Sequence, residues 1–97
     1  MSDVLTKIQN WYQSQCDGLW EHGHGLTIGT LDNPGWSVEV ELKDTPWEKS
    51  VWEDLVFERS PNDWVNCKKK GSEFKGYGDV NKLEFILNHF LAQVSRT

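Results

Sequence analysis

Cys16-Asp17-Gly18-Leu19-Trp20-Glu21-His22-Gly23-His24-Gly25-Leu26-Thr27-Ile28-Gly29-Thr30-Leu31-Asp32-Asn33-Pro34-Gly35-Trp36 is the stretch on which the fold is decided. Rare residue types (Cys, Trp, His) sit here among turn-forming ones more densely than local structure alone requires. Asp17-Gly18 is expected to end a helix, because glycine takes the left-handed conformation at a helix C-terminus without a Cβ penalty. A linker carrying Trp20, Glu21, His22 and His24 follows. Leu26, Ile28 and Thr30 then alternate with Thr27 and Gly29 at the period of a strand. Asn33-Pro34-Gly35 reverses the chain: the residue before proline is pushed out of the helical region, Pro34 presets φ, and Gly35 is expected to supply the positive φ of a type II turn.

Upstream, Val4, Leu5, Ile8, Trp11 and Tyr12 fall at helical spacing, with Ser2 or Asp3 available to accept hydrogen bonds from the first-turn amides. Downstream, Trp36, Val38, Val40 and Leu42 point one way and Ser37, Glu39, Glu41 and Lys43 the other, giving a strand with one dry and one charged face. Asp44-Thr45-Pro46 breaks it, and Trp47 to Trp52 reads as loop. Leu55 to Arg59 is a third strand, Ser60 to Asp63 a turn, and Trp64 to Lys69 a fourth strand ending in three solvated lysines. Gly71 to Gly78 reads as a glycine-punctuated loop. It lacks the Lys-Ser/Thr pair of a P-loop and the third glycine of a dinucleotide fingerprint. Leu83, Ile86, Leu87, Phe90, Leu91 and Val94 form the apolar stripe of a closing helix, with Asn81 and Glu84 placed as a capping box.

The expected fold is therefore α+β: an N-terminal helix, a four-stranded antiparallel sheet and a C-terminal helix, both helices on one face of the sheet. Trp11, Trp36 and Trp64 are expected in its core. Ninety-seven residues make one domain, 1–97, which buries roughly two-thirds of its unfolded surface without disulfide or metal. The formal charge of −5 argues against direct nucleic-acid binding. The acids are concentrated: ten lie between Asp17 and Glu58 against two bases, a net of −8. Two cysteines and no apolar signal core place the chain in the cytoplasm with reduced thiols, and no apolar run approaches the ~20 residues that span a bilayer.

Trp11-Tyr12, Cys16-Asp17-Gly18-x-Trp20-Glu21-His22, Gly25-x-x-Ile28-x-Thr30-Leu31-Asp32-Asn33-Pro34-Gly35-Trp36 and Asp63-Trp64-x-x-Cys67, with the Leu-rich closing helix, resemble the immunity 53 family. That family belongs to bacterial polymorphic toxin systems, where a small α+β protein encoded beside a toxin gene protects the producer. The resemblance implies an immunity protein, not an enzyme, that binds a cognate toxin and neutralises it. Leu19 and His24 depart from the family pattern, which carries an acidic and an aromatic residue there.

Trp20, Glu21, His22, His24, Glu39, Glu41, Trp47 and Trp52 are the candidate partner-binding residues: tryptophans as interface anchors, carboxylates for a basic surface. Asp17, Gly18, Asn33, Pro34 and Gly35 are the structural turn residues. Many toxins of such systems are nucleases, and an acidic surface can occupy their basic clefts. A monomer or weak homodimer is expected, with no cofactor. A zinc site can be drawn from Cys16, His22, His24, Cys67 and His89, but no Cys-x-x-Cys or His-x-x-x-His pair exists, so no metal is expected. The alternative from another class is a small metal-assisted hydrolase using Cys16, His22 and His24.

Overall fold

The structure, a computed structural model, describes residues 3–95. Eight elements follow in order: α1 (Val4–Gln15), α2 (Trp20–Gly23), β1 (Leu26–Leu31), β2 (Gly35–Glu41), β3 (Leu55–Ser60), β4 (Asp63–Lys70), β5 (Glu73–Gly78) and α3 (Leu83–Val94). The class is α+β, and the sheet is antiparallel throughout in the order β1-β2-β5-β4-β3. It has five strands where four were expected, and the additional one is its centre.

That strand, β5, was expected to be a loop because of Gly76 and Gly78. Its glycines serve close approach instead. A Cβ on Gly76 would lie 2.6 Å from Ile86 Cγ2, and one on Gly78 would lie 2.7 Å from Lys82 Cβ. Phe74, Gly76 and Gly78 face α3, and the missing side chains let the helix sit directly on the strand.

One face of the sheet is dry. Val38, Val40 and Leu42 from the β2 side, Val65 and Cys67 from β4, and Phe74 from β5 are buried under Ile86, Leu87, Phe90 and Val94 of α3 and Val4, Ile8 and Trp11 of α1. Both helices thus pack on one face, with the Trp11 ring edge-on to Phe90 at 4.9 Å. The inward face of the fourth strand is settled by Val65 and Cys67. Trp64 accordingly lies half-buried on the opposite, open face and not in the core, while Trp36 lies at the sheet end with its indole N–H donating to the Val80 carbonyl.

Four local expectations differ in detail. The Asn33-Pro34 peptide is cis and Gly35 has no positive φ, so the turn is not type II; a Cβ on Gly35 would run into the Gly78 carbonyl. Asp3 occupies the α1 N-cap without a side-chain bond, and Ser2 lies outside the described residues. At α3 the Asn81/Glu84 box does not form: Lys82 is the N-cap, and Asp79 accepts from the Asn81 amide instead. Lys69 is no solvated strand end either. It shares the face of Val65 and Cys67, and its ammonium donates to the carbonyls of Glu48 (2.9 Å), Ser50 (2.7 Å) and Gly71 (2.8 Å), fastening the loop 42–54. No helix among the described residues is long and apolar enough to cross a membrane.

Candidate functional site

The segment after α1 is not an extended linker. Cys16 caps α1 in extended conformation, and Gly18 takes φ +95° two residues further on. The Asp17 carboxylate then accepts from the amides of Leu19 and Trp20, both at 2.9 Å, while Glu21 reaches back to the amides of Asp17 (3.0 Å) and Gly18 (2.9 Å). This reciprocal pair satisfies the open donors of a single helical turn, as a capping box does. Both carboxyls are held below the ordinary range, Asp17 by the Trp20 and Leu19 amides and Glu21 by backbone amides beginning with its own.

Trp20 anchors that turn. It is 4 % exposed, stands edge-on to Trp11 at 6.1 Å, and donates its indole N–H to the Lys43 carbonyl at 2.9 Å. The short α2 is thereby tied to the end of β2, and His22 and His24 are carried to the rim of a cleft.

The cleft has a volume of about 760 Å³. Ile8, Gln9 and Tyr12 of α1 form one wall, and His22 to Gly25 form another. Thr27, Glu39, Glu41 and Glu73 close it on the sheet side. Partial burial pushes the Glu41 carboxyl up, but the Ser72 hydroxyl (2.6 Å), the Lys43 amide (3.0 Å) and nearby His24 outweigh it and leave Glu41 below the ordinary range. Glu39 accepts from the Tyr77 hydroxyl at 3.3 Å, and partial burial together with Glu39 holds that phenol above its ordinary value. The His24 Nε2 is 3.6 Å from an Asp44 carboxylate oxygen. The three ionised carboxylates only accept hydrogen bonds and suit lysine or arginine side chains, beside the hydroxyl and imidazole groups of Tyr12, His22 and His24.

Four of the eight candidate partner residues, His22, His24, Glu39 and Glu41, meet in this cleft. The other four do not. Trp20 lies beneath it, and the Glu21 carboxylate is engaged by loop amides. Trp47 and Trp52 are half-buried against the core, Trp47 beside Trp11 at 6.0 Å and Trp52 beside Phe74 and Phe90 at 5.8 and 5.9 Å. Tyr12, Gln9 and Glu73 belong to the cleft but were not expected there. Tyr12 was counted in the apolar stripe of α1, although its place at the stripe's edge and its hydroxyl were a usable signal. Glu73 was hidden in the supposed loop.

The open face is also not uniformly acidic. Glu39 and Glu41 lie on β2, next to β1, and Glu73 on the central β5, but Lys75 of β5 and Lys68 and Lys70 of β4 share the face.

The proposed zinc ligands are dispersed. Among the described residues no three His, Cys, Asp or Glu side chains are grouped to hold a metal ion. Both cysteines are free. Cys67 is fully buried, and desolvation pushes its thiol up to about 12, the wrong direction for a thiolate ligand or nucleophile. His89 is half-buried beside the Phe74 ring, and burial lowers its pKa. Cys16 points its thiol at the Tyr12 carbonyl, 3.3 Å away.

A family model described as immunity protein 53 matches residues 5–95. No curated protein and no solved structure gives a significant match.

Proposed function

From the premise that the chain belongs to the immunity protein 53 family, we propose that it binds a cognate toxin of a bacterial polymorphic toxin system and blocks the toxin's active site. The observation that carries the contact surface is the cleft at the β1 edge, where Glu39, Glu41 and Glu73 stand with His22 and His24. A nuclease is the toxin class that fits best, because a cleft built to hold phosphates presents lysines and arginines that such carboxylates can engage. Glu41 is held ionised by its own hydrogen bonds, so it meets a cation as a fixed charge.

The test is to measure association kinetics between this protein and the toxin encoded beside it, at low and at high salt. Glu39→Lys with Glu41→Lys should slow association severalfold at low salt, and the difference should shrink as salt screens it over ~8 Å. A double variant that associates as fast as the parent and still protects cells would place the contact elsewhere.

A further inference from the structure

We infer that the open face of the sheet is the contact surface for a second copy of this chain, packed face to face about a two-fold axis running along β5. Cross-strand register sorts the charges of this face into rows. Across β2, β5 and β4, Glu39, Lys75 and Lys68 form one row and Glu41, Glu73 and Lys70 the next. On the other side of the first row lies Ser37-Tyr77-Asn66, which extends to Gly29 on β1 and Val56 on β3. The acids of β2 and the lysines of β4 are thus equidistant from the central strand on opposite sides.

Rotation about β5 lays β4 of the second copy over β2 of the first. Glu39 then stands opposite Lys68 of the second copy, and Glu41 opposite Lys70. Size matches as well as charge: the exposed Val56 comes over Gly29, where no side chain stands in its way, and Tyr77 meets Tyr77 at the axis. This axis also sets Lys75 against Lys75 and Glu73 against Glu73, two like-charge contacts beside four acid–lysine ones. A two-fold across the strands would instead set the β2 acids on each other and the β4 lysines on each other, so the balance of charge selects the axis along β5. The isolated sheet also holds Lys68 directly opposite Lys75, a like-charge pair that is unfavourable by itself. Lys75 has Glu73 at 3.8 Å and Glu39 as its cross-strand neighbour on β2, and Lys68 has no acid opposite it on β5. The second copy brings its Glu39 opposite Lys68.

Four strand spacings of ~4.8 Å by six residues of ~3.3 Å give a face on the order of 20 by 20 Å. Two such faces bury about 800 Å², below the ~1,200 Å² of stable specific interfaces, so the dimer is weak and reversible. Glu39 and Glu41 also line the cleft, so self-association would compete with any partner held there.

The test uses the whole chain alone, so it stands or falls apart from the toxin reading. Sedimentation equilibrium up to about millimolar concentration should show a dimer that weakens about tenfold or more from low to high salt. Glu39→Lys and Lys68→Glu should each self-associate about tenfold more weakly than the parent, and an equimolar mixture of the two should form a heterodimer at least as tight as the parent dimer. Val56→Asp, an exposed change that leaves the charge rows intact, should weaken the dimer as well. Melting curves check that each variant is folded, and rescue on mixing requires that both are. A parent that remains monomeric at low salt overturns the inference. So does a dimer indifferent to both charge reversals, or a mixture no tighter than its components.

Discussion

The close seat of α3 on β5 at Gly76 makes a quantitative prediction. A methyl group there would lie 2.6 Å from Ile86 Cγ2, 3.2 Å from Phe74 Cζ and 3.3 Å from Cys67 Sγ. All three neighbours are fully buried, so none can swing into solvent. To restore an ordinary contact α3 must lift by roughly 1 Å from β5, and overpacking of this kind costs about 1–3 kcal/mol. The alanine also restricts the unfolded chain, which returns about 0.4–1 kcal/mol. Taking about 2 kcal/mol for the overpacking and about 0.7 kcal/mol returned, Gly76→Ala should lose about 1.3 kcal/mol net, and the melting temperature should fall by about 5–10 °C for a domain of this size. Ile86→Ala alone should cost about 2–5 kcal/mol by leaving a cavity. In the double variant the new methyl occupies part of that cavity, so the cost should be smaller than the sum of the singles by about 1 kcal/mol or more. Urea denaturation of the four proteins, with m-values compared to confirm two-state unfolding, reads all these differences. A Gly76→Ala variant as stable as the parent, or strict additivity in the double variant, would refute the argument that these glycines exist to seat the helix.

Asp79 is 2 % exposed and accepts from the amides of Trp64 and Asn81 and from the Lys82 ammonium. Burial pushes its carboxyl up, but Lys82 and the two amides outweigh this and hold it below the ordinary range. Because the folded pKa is depressed, its stabilisation is complete above the ordinary carboxylate pKa of ~4 and is lost as pH falls through the folded value. Asp79→Asn should be less stable at neutral pH and show a shallower loss below pH ~4, read by urea melts across pH; parallel curves would refute the linkage. Trp52→Ala should lower folding stability by about 2–4 kcal/mol, since the ring packs on Phe74 and Phe90. Loss of partner binding at unchanged stability would show instead that Trp52 is an anchor. A chelator should leave the melting temperature in place, and a drop of about 10 °C, on the order of 1–2 kcal/mol, would reveal a structural metal.

What could be read from sequence depended on whether a residue's reason was local. β2 was legible because Trp36, Val38, Val40 and Leu42 carry the alternation themselves, and α3 because its stripe is complete. β5 has the same period in Phe74, Gly76 and Gly78, but the apolar atoms that fill two of its inward positions belong to α3. A pattern of side chains cannot show a position filled from another element. Lys69 failed for a related reason: two of its three partners are carbonyls about twenty residues away, brought near by the fold. His22 and His24 were found by rarity among turn residues, and Glu39 and Glu41 by alternation. Their meeting depended on Trp20 reaching the Lys43 carbonyl, a tertiary contact with no sequence period.

The central position of the last strand has a consequence for how the chain can be divided. β1 and β2 form a complete hairpin, β3 to β5 a complete meander, and the two are joined by the β2–β5 seam, whose partners run from Trp36↔Gly78 to Glu41↔Glu73. The connecting segment passes through Val51, which is 97 % exposed. A cut there severs no strand or helix. It leaves an N-terminal piece with α1 and a C-terminal piece with α3, each holding part of the shared core. The covalent link contributes chiefly loop-closure entropy, which grows only slowly with length. In this sense the molecule is a tethered pair of fragments, and separately expressed halves should reassemble across the seam.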